Sequence, residues 1–123
     1  MYKILKDIKE SLAAIESIKS LKIGFEKGAD VSSNCPLVRI ISEGSITRGR
    51  LEDLTVQIVL AFDLKNDVEK LYEEFYTLEK LVRDKLEKMP YKVIHIDTVM
   101  DGDSLKALKA GIIRYKFMDL YNA

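Results

Sequence analysis

Between Leu54 and Phe62 the chain alternates without a break. Leu54, Val56, Ile58, Leu60 and Phe62 fall on one side of an extended backbone, and Thr55, Gln57, Val59 and Ala61 on the other. Side chains of a strand repeat every two residues, so this run is a strand with one strongly apolar face. A face of that kind has to be covered by another layer, which restricts the chain to a sheet packed against something else.

Two helical stripes supply the cover. Leu5, Ile8, Leu12 and Ile15 step by three and four, and Ile18 and Leu21 extend the stripe, with Lys6, Lys9, Glu10, Glu16 and Lys19 mostly opposite. That spacing predicts an amphipathic helix stopped by Gly24 and Gly28. Val68, Leu71, Phe75, Leu78 and Val82 form a second stripe, continued by Leu86 and Met89 and ended by Pro90. Asn66 or Asp67 is placed to cap its start. Phe75 reads as core, with Tyr72 and Tyr76 at its boundary.

Three further runs read as strands. Residues 37–41 are β-rich and are linked to the alternating strand through Gly44 and Gly49, which predicts a hairpin with a mobile basic tip. Residues 91–100 hold Val93, Ile94, Ile96 and Val99, with the buried side left open. From Gly111 to about Tyr121, Ile113, Tyr115 and Phe117 share one side, while Arg114, Lys116 and Met118 share the other. Asp101, Gly102 and Asp103 mark a turn, and residues 104–110 are a helical turn or part of the strand connection. The expected fold is a single α+β domain over residues 1–123. Its two helices pack on one face of a mostly antiparallel four-stranded sheet, in the order α-β-β-α-β-β.

Composition narrows the function. Twenty Lys and Arg balance twenty Asp and Glu. A general nucleic-acid binder needs a basic surplus, so none is expected. Cys35 is the single cysteine and makes no internal disulfide, which fits a reducing compartment. Residues 1–12 carry Asp7 and Glu10 where a signal peptide needs an apolar run, and no stretch is long and apolar enough for a membrane span.

Catalytic constellations are not apparent. His95 stands two residues before Asp97, which predicts a shared sheet face; the functional reading is a base with its orienting carboxylate, and the favoured one a polar pair on the face away from the helices. No nucleophile stands beside them in sequence. Cys35 has no neighbouring base. Asp101, Gly102 and Asp103 lack the remaining ligands of a calcium loop. Gly44 and Gly49 have phosphate-loop spacing, but Arg50 and Leu51 follow where lysine and a hydroxyl residue are required, and a strand follows in place of a helix. The expectation is a non-enzyme with no cofactor and no metal.

The succession of parts resembles the tail terminator, or tail completion, proteins of long-tailed bacteriophages and related prophages. The parts are the stripe from Leu5 to Leu21, the Cys35-Pro36-Leu37-Val38 link, the hairpin around Gly44 to Arg50, the helix over 68–89 and the strands over 91–121. The resemblance implies a structural ring, six copies in size, that ends the tail tube and joins it to the head. Its partners would be further copies of itself, the tail tube protein and a head-neck connector protein, with neither nucleic acid nor membrane. It implies residence in the host cytoplasm during assembly and then in the virion tail, and it carries no catalytic residues. On this view residues 42–52 form an arm ordered on assembly, with Arg48 and Arg50 as contacts whose charge reversal spares the fold. The sheet face bearing Arg39, Thr55, Gln57, Arg114 and Lys116 is a second contact surface. Two alternatives stand beside it. One is a small regulatory or ligand-binding α+β domain, monomeric or dimeric. The other is a nucleic-acid module using the outer sheet face, which the core-facing aromatics disfavour.

Overall fold

Val56, Ile58 and Leu60 expose no surface at all, because two helices roof the face of the strand that carries them. The structure is a computed structural model that describes residues 2–24, 35–63, 68–100 and 108–121. Its elements are α1 (Tyr2–Leu12), β1 (Ser20–Ile23), β2 (Leu37–Arg48), β3 (Leu51–Asp63), α2 (Val68–Glu87), β4 (Lys92–Met100) and β5 (Leu108–Tyr121). The α+β class with two helices over a sheet is as expected. The sheet, however, has five strands in the order β1-β2-β3-β5-β4, and it is mixed.

The fifth strand comes from the end of the first predicted helix. Helix α1 stops at Leu12, and the stretch beyond it enters β1, which pairs parallel with β2 from Ser20 opposite Leu37 to Ile23 opposite Ile40. The reason lies in the spacing. Leu12, Ile15, Ile18 and Leu21 are each three apart, whereas a helix needs about 3.6. The chain accordingly makes i→i−3 turns, with Ile15 N donating to Leu12 O at 3.0 Å and Ile18 N to Ile15 O at 3.4 Å. Ile18, Leu21 and Ile23 still pack against the core, though not from a helix.

The hairpin also differs from expectation. Residues 42–48 continue β2, and Arg48 pairs with Leu51, leaving Gly49 and Arg50 as a two-residue turn. Such a turn needs positive φ at its first position, which Gly49 supplies at 64°. The arm read as ordered only on assembly is therefore strand except at that turn. Beyond Ile41, β2 is exposed along its whole remaining length, whereas its partner β3 stays buried at Glu52, Asp53, Leu54 and Val56. Seven strand residues span roughly 23 Å.

Ile4, Leu5, Ile8 and Leu12 of α1 and Leu71, Phe75, Leu78, Val82 and Leu86 of α2 meet Val38, Ile40, the even-numbered residues of β3 from Leu54 to Phe62, and Ile113, Tyr115 and Phe117 in one core. Each fully buried aliphatic or phenyl side chain contributes about 1.5–3 kcal/mol by leaving water. The ring of Phe75 lies against the backbone of Gly111, where a Cβ would fall 2.0 Å from its Cε2. Phe75 also meets Phe62 edge-on at 6.2 Å between ring centres. Phe75 and Phe117 are core as expected, while Tyr72 and Tyr76, expected at the boundary, are exposed, with the Tyr76 ring edge-on to Phe75. Met89 packs against this core from just beyond α2. The expected cap at Asn66 or Asp67, the stop at Gly28 and the turn at residues 101–103 lie outside the described residues. So do residues 104–107, whereas 108–110 begin β5.

Candidate interaction surface

The sheet face turned away from the helices is built in rows fixed by strand register. One row runs Arg39, Val59, Ile112, Val99 across β2, β3, β5 and β4. The next runs Ile41, Gln57, Arg114, Asp97, and a third Gly44, Thr55, Lys116, Ile94. The predicted set Arg39, Thr55, Gln57, Arg114 and Lys116 is thus on one face. What the sequence did not foretell is three irregularities in the ladder, each inserting one residue. They fall at Glu43 on β2, around residues 118 and 119 on β5 opposite Asp53, and at Ile96 on β4. A bulge re-aims the side chains beside it, and here each one brings a carboxylate to an arginine.

Arg114 lies between two of them. Its Nε and Nη2 donate to Glu43 Oε1 and Oε2 at 3.2 and 3.1 Å, and its Nη1 donates to Asp97 Oδ2 at 3.1 Å. Gln57 Nε2 donates to the same Glu43 carboxylate. Hydrogen bonds from Arg114 and then Gln57 hold the Glu43 carboxyl below its ordinary range. One guanidinium therefore ties β2, β5 and β4 together across the outer face.

Arg48 makes the second cluster. Its Nε and Nη2 donate to Asp53 Oδ2 and Oδ1 at 3.2 and 2.9 Å, and Nη2 also reaches Asp119 Oδ1 at 2.8 Å. Asp53 is 5% exposed, and its Oδ1 accepts the backbone N–H of Asp119 at 3.1 Å. Asp119 has φ 56°, a left-handed conformation that aspartate tolerates better than most residues. Lys92 Nζ lies 3.4 Å from Asp119 Oδ2, and Lys116 Nζ lies 3.8 Å from Asp53 Oδ2. Hydrogen bonds from Arg48 hold both the Asp53 and the Asp119 carboxyl below the ordinary range.

Of the five basic residues singled out from sequence, four are engaged within the molecule, Lys116 the most loosely. Arg48 and Arg114 are held as described. Arg39 is buried and donates to Val38 O, Ser20 O and Ser20 Oγ, tying β1 to β2. Lys116 is partly exposed at the margin of the Asp53 cluster. Arg50, exposed in the turn, forms no ion pair among the described residues. The acidic partners Glu43, Asp53 and Asp119 escaped sequence reasoning. One signal was present: the apolar positions of β5 run 113, 115, 117 and then 120, a slip of one residue that marks the irregularity beside Asp119.

Apolar groups frame this polar face. Ile46 is 64% exposed and Tyr121 80% exposed, and Ile94, Ile96 and Val99 are exposed along β4. Strand β4 is an edge of the sheet. Strand β1 covers β2 only as far as Ile40, so among the described residues 41–48 form a second free edge.

The predicted His95 and Asp97 pair does not form. The inserted residue Ile96 shifts the register, placing His95 opposite core-facing Tyr115 and Asp97 opposite Arg114 on the other face. His95 Nε2 instead lies 2.8 Å from Thr98 Oγ1. Cys35 lines an open depression of about 600 Å³ with Lys19, Phe62, Lys70, Glu73 and Thr77, among others, and His95 is not part of it. Among the described residues no group of three or more His, Cys, Asp or Glu is placed to hold a metal ion, and no helix is long and apolar enough to cross a membrane. No protein-family model matches the chain, and a search of curated proteins returns no significant match.

Proposed function

We propose that the protein is a structural assembly component that works as a phage tail terminator does, forming a ring on the end of a tail tube and joining it to the head. The observation that carries this reading is the exposed outer half of β2 in the β2–β3 hairpin. It exposes Ile46 and is held beside the hairpin turn by the Arg48, Asp53 and Asp119 cluster. An exposed strand edge braced by ion pairs suits docking onto a neighbouring subunit better than catalysis. The partners on this reading are further copies of the chain, a tail tube protein and a head-neck connector, met in the host cytoplasm and kept in the virion.

Mixing the purified chain with polymerising tail tube protein tests the reading. Tubes of limited length with a ring density at one end, seen by electron microscopy, are the expected result. Tubes of unlimited length with no added density overturn it.

The depression beside Cys35 and Lys70 favours a second reading, a small ligand-binding domain. Its lining mixes Lys19 and Lys70 with Glu73 and Glu74, so it would take a small zwitterionic or polar molecule. A thermal-shift screen of such compounds separates the two.

A further inference from the structure

Among the described residues, the two free strand edges are complementary to each other. Strands β2, β3, β5 and β4 are each antiparallel to the next, so β2 and β4 run in opposite directions. A second copy displaced sideways across the sheet, without being turned over, therefore presents its β4 antiparallel to β2 of the first. The heights also correspond. Ile94 lies in the row of Gly44, and Asp97 in the row of Ile41. Strand β1 ends one row further on, at Ile40. The part of β4 over residues 92–97 thus faces the uncovered part of β2, while residues 98–100 lie level with β1.

We infer that copies of the chain join edge to edge, with residues 92–97 of β4 adding to residues 41–48 of β2 of the next copy. This rests on the reading above that the chain assembles with itself, but not on any tail partner. Unpaired backbone N–H and C=O groups on the two edges supply the ladder. Ile46 on one edge and Ile94 and Ile96 on the other supply apolar contact at the seam. The joint uses different surfaces on the two copies, so it repeats head to tail and closes into a ring if the rotation per copy permits. The inserted residues at Glu43 and Ile96, with Lys92 on the β4 edge, break the regular ladder. Such features discourage pairing with arbitrary strands and leave a shaped partner.

Cysteine cross-linking of the full-length chain tests the joint. In a Cys35→Ser background, Ser45→Cys and Val93→Cys, which share one row of the ladder, are prepared separately and then mixed under mild oxidation. The expected product is a disulfide-linked heterodimer that neither variant forms alone, and a ladder of oligomers when both substitutions share one chain. Equal homodimer yields from either variant alone, or no cross-link at all, overturn the proposal. Light scattering gives a second measurement: Ile94→Lys with Ile96→Lys should abolish the oligomer while circular dichroism stays unchanged, and an oligomer that survives overturns it. A ladder without capped tubes leaves the joint standing and removes the tail reading. Capped tubes without the cross-link remove the joint and keep that reading.

Discussion

The Asp53 carboxylate accepts the backbone N–H of Asp119 at 3.1 Å, so a nearly buried side chain of β3 fixes the irregular turn of backbone in β5. The same carboxylate receives Arg48 from β2, and removing it frees three strands at once. Asp53→Ala is expected to lower the melting temperature by several degrees, with Lys116→Ala, whose ammonium lies 3.8 Å away at the margin, having a much smaller effect. Thermal denaturation followed by circular dichroism checks both.

The same cluster sets the acid limit of stability. Arg48 lowers the pKa of Asp53 and of Asp119, and Arg114 with Gln57 lowers that of Glu43. A carboxylate with a depressed folded pKa contributes stability that is present above its unfolded pKa and is lost as pH falls through the folded value. Stability is therefore expected to be level above about pH 5 and to decline below about pH 4. Asp53→Asn should show a shallower decline in a urea titration repeated across this range.

Gly111 is required by the ring that packs on it. A Cβ there would sit 2.0 Å from Phe75 Cε2 and 2.3 Å from Cζ. Gly111→Ala is expected to cost about 1–3 kcal/mol, the usual range for overpacking. Adding Phe75→Leu should recover part of that loss, a non-additivity that a double-mutant cycle measures.

Tyr115 has the opposite sign. Its ring is fully buried and burial pushes its phenol pKa up, and among the described residues its hydroxyl makes no well-formed hydrogen bond, with only the Arg83 guanidinium nearby to interact with it. A buried orphan polar group is a liability. Tyr115→Phe is expected to be neutral or to stabilise by up to about 1 kcal/mol in chemical denaturation.

Arg48 and Arg50 separate by role. Reversing Arg48 sets a third acid beside Asp53 and Asp119, so Arg48→Glu is expected to destabilise the fold, contrary to the sequence expectation that such a change spares it. Arg50→Glu is expected to keep the wild-type melting temperature and to weaken assembly, which light scattering over a dilution series measures.

The parts of the fold legible in the sequence are those with many repeats of one period. The alternation from Leu54 to Phe62 and the stripe from Leu71 to Leu86 are long enough to be unambiguous, and both are buried as read. Strand β1 has only four residues, and its three-residue spacing imitated a continuing helix. Inserted residues are harder still, since one extra position at Ile96 reverses the sides of everything after it. That is why His95 and Asp97 parted and why Asp97 joined Arg114. The basic half of the surface stood out in sequence because arginine invites a partner. The acids that answer it became visible only when register brought residues 43 and 114, or 53 and 119, side by side.

The helical roof leaves the outer half of β2 uncovered, and the two ends of that strand consequently obey different forces. At the roofed end, order comes from apolar burial, which is nearly indifferent to ionic strength. At the bare end it comes from ladder hydrogen bonds and the charges around Arg48, which dissolved ions screen over about 8–10 Å. Added salt thus acts regionally, loosening the tip while leaving the base intact, and the chain carries two separately adjustable stiffnesses along one continuous pair of strands.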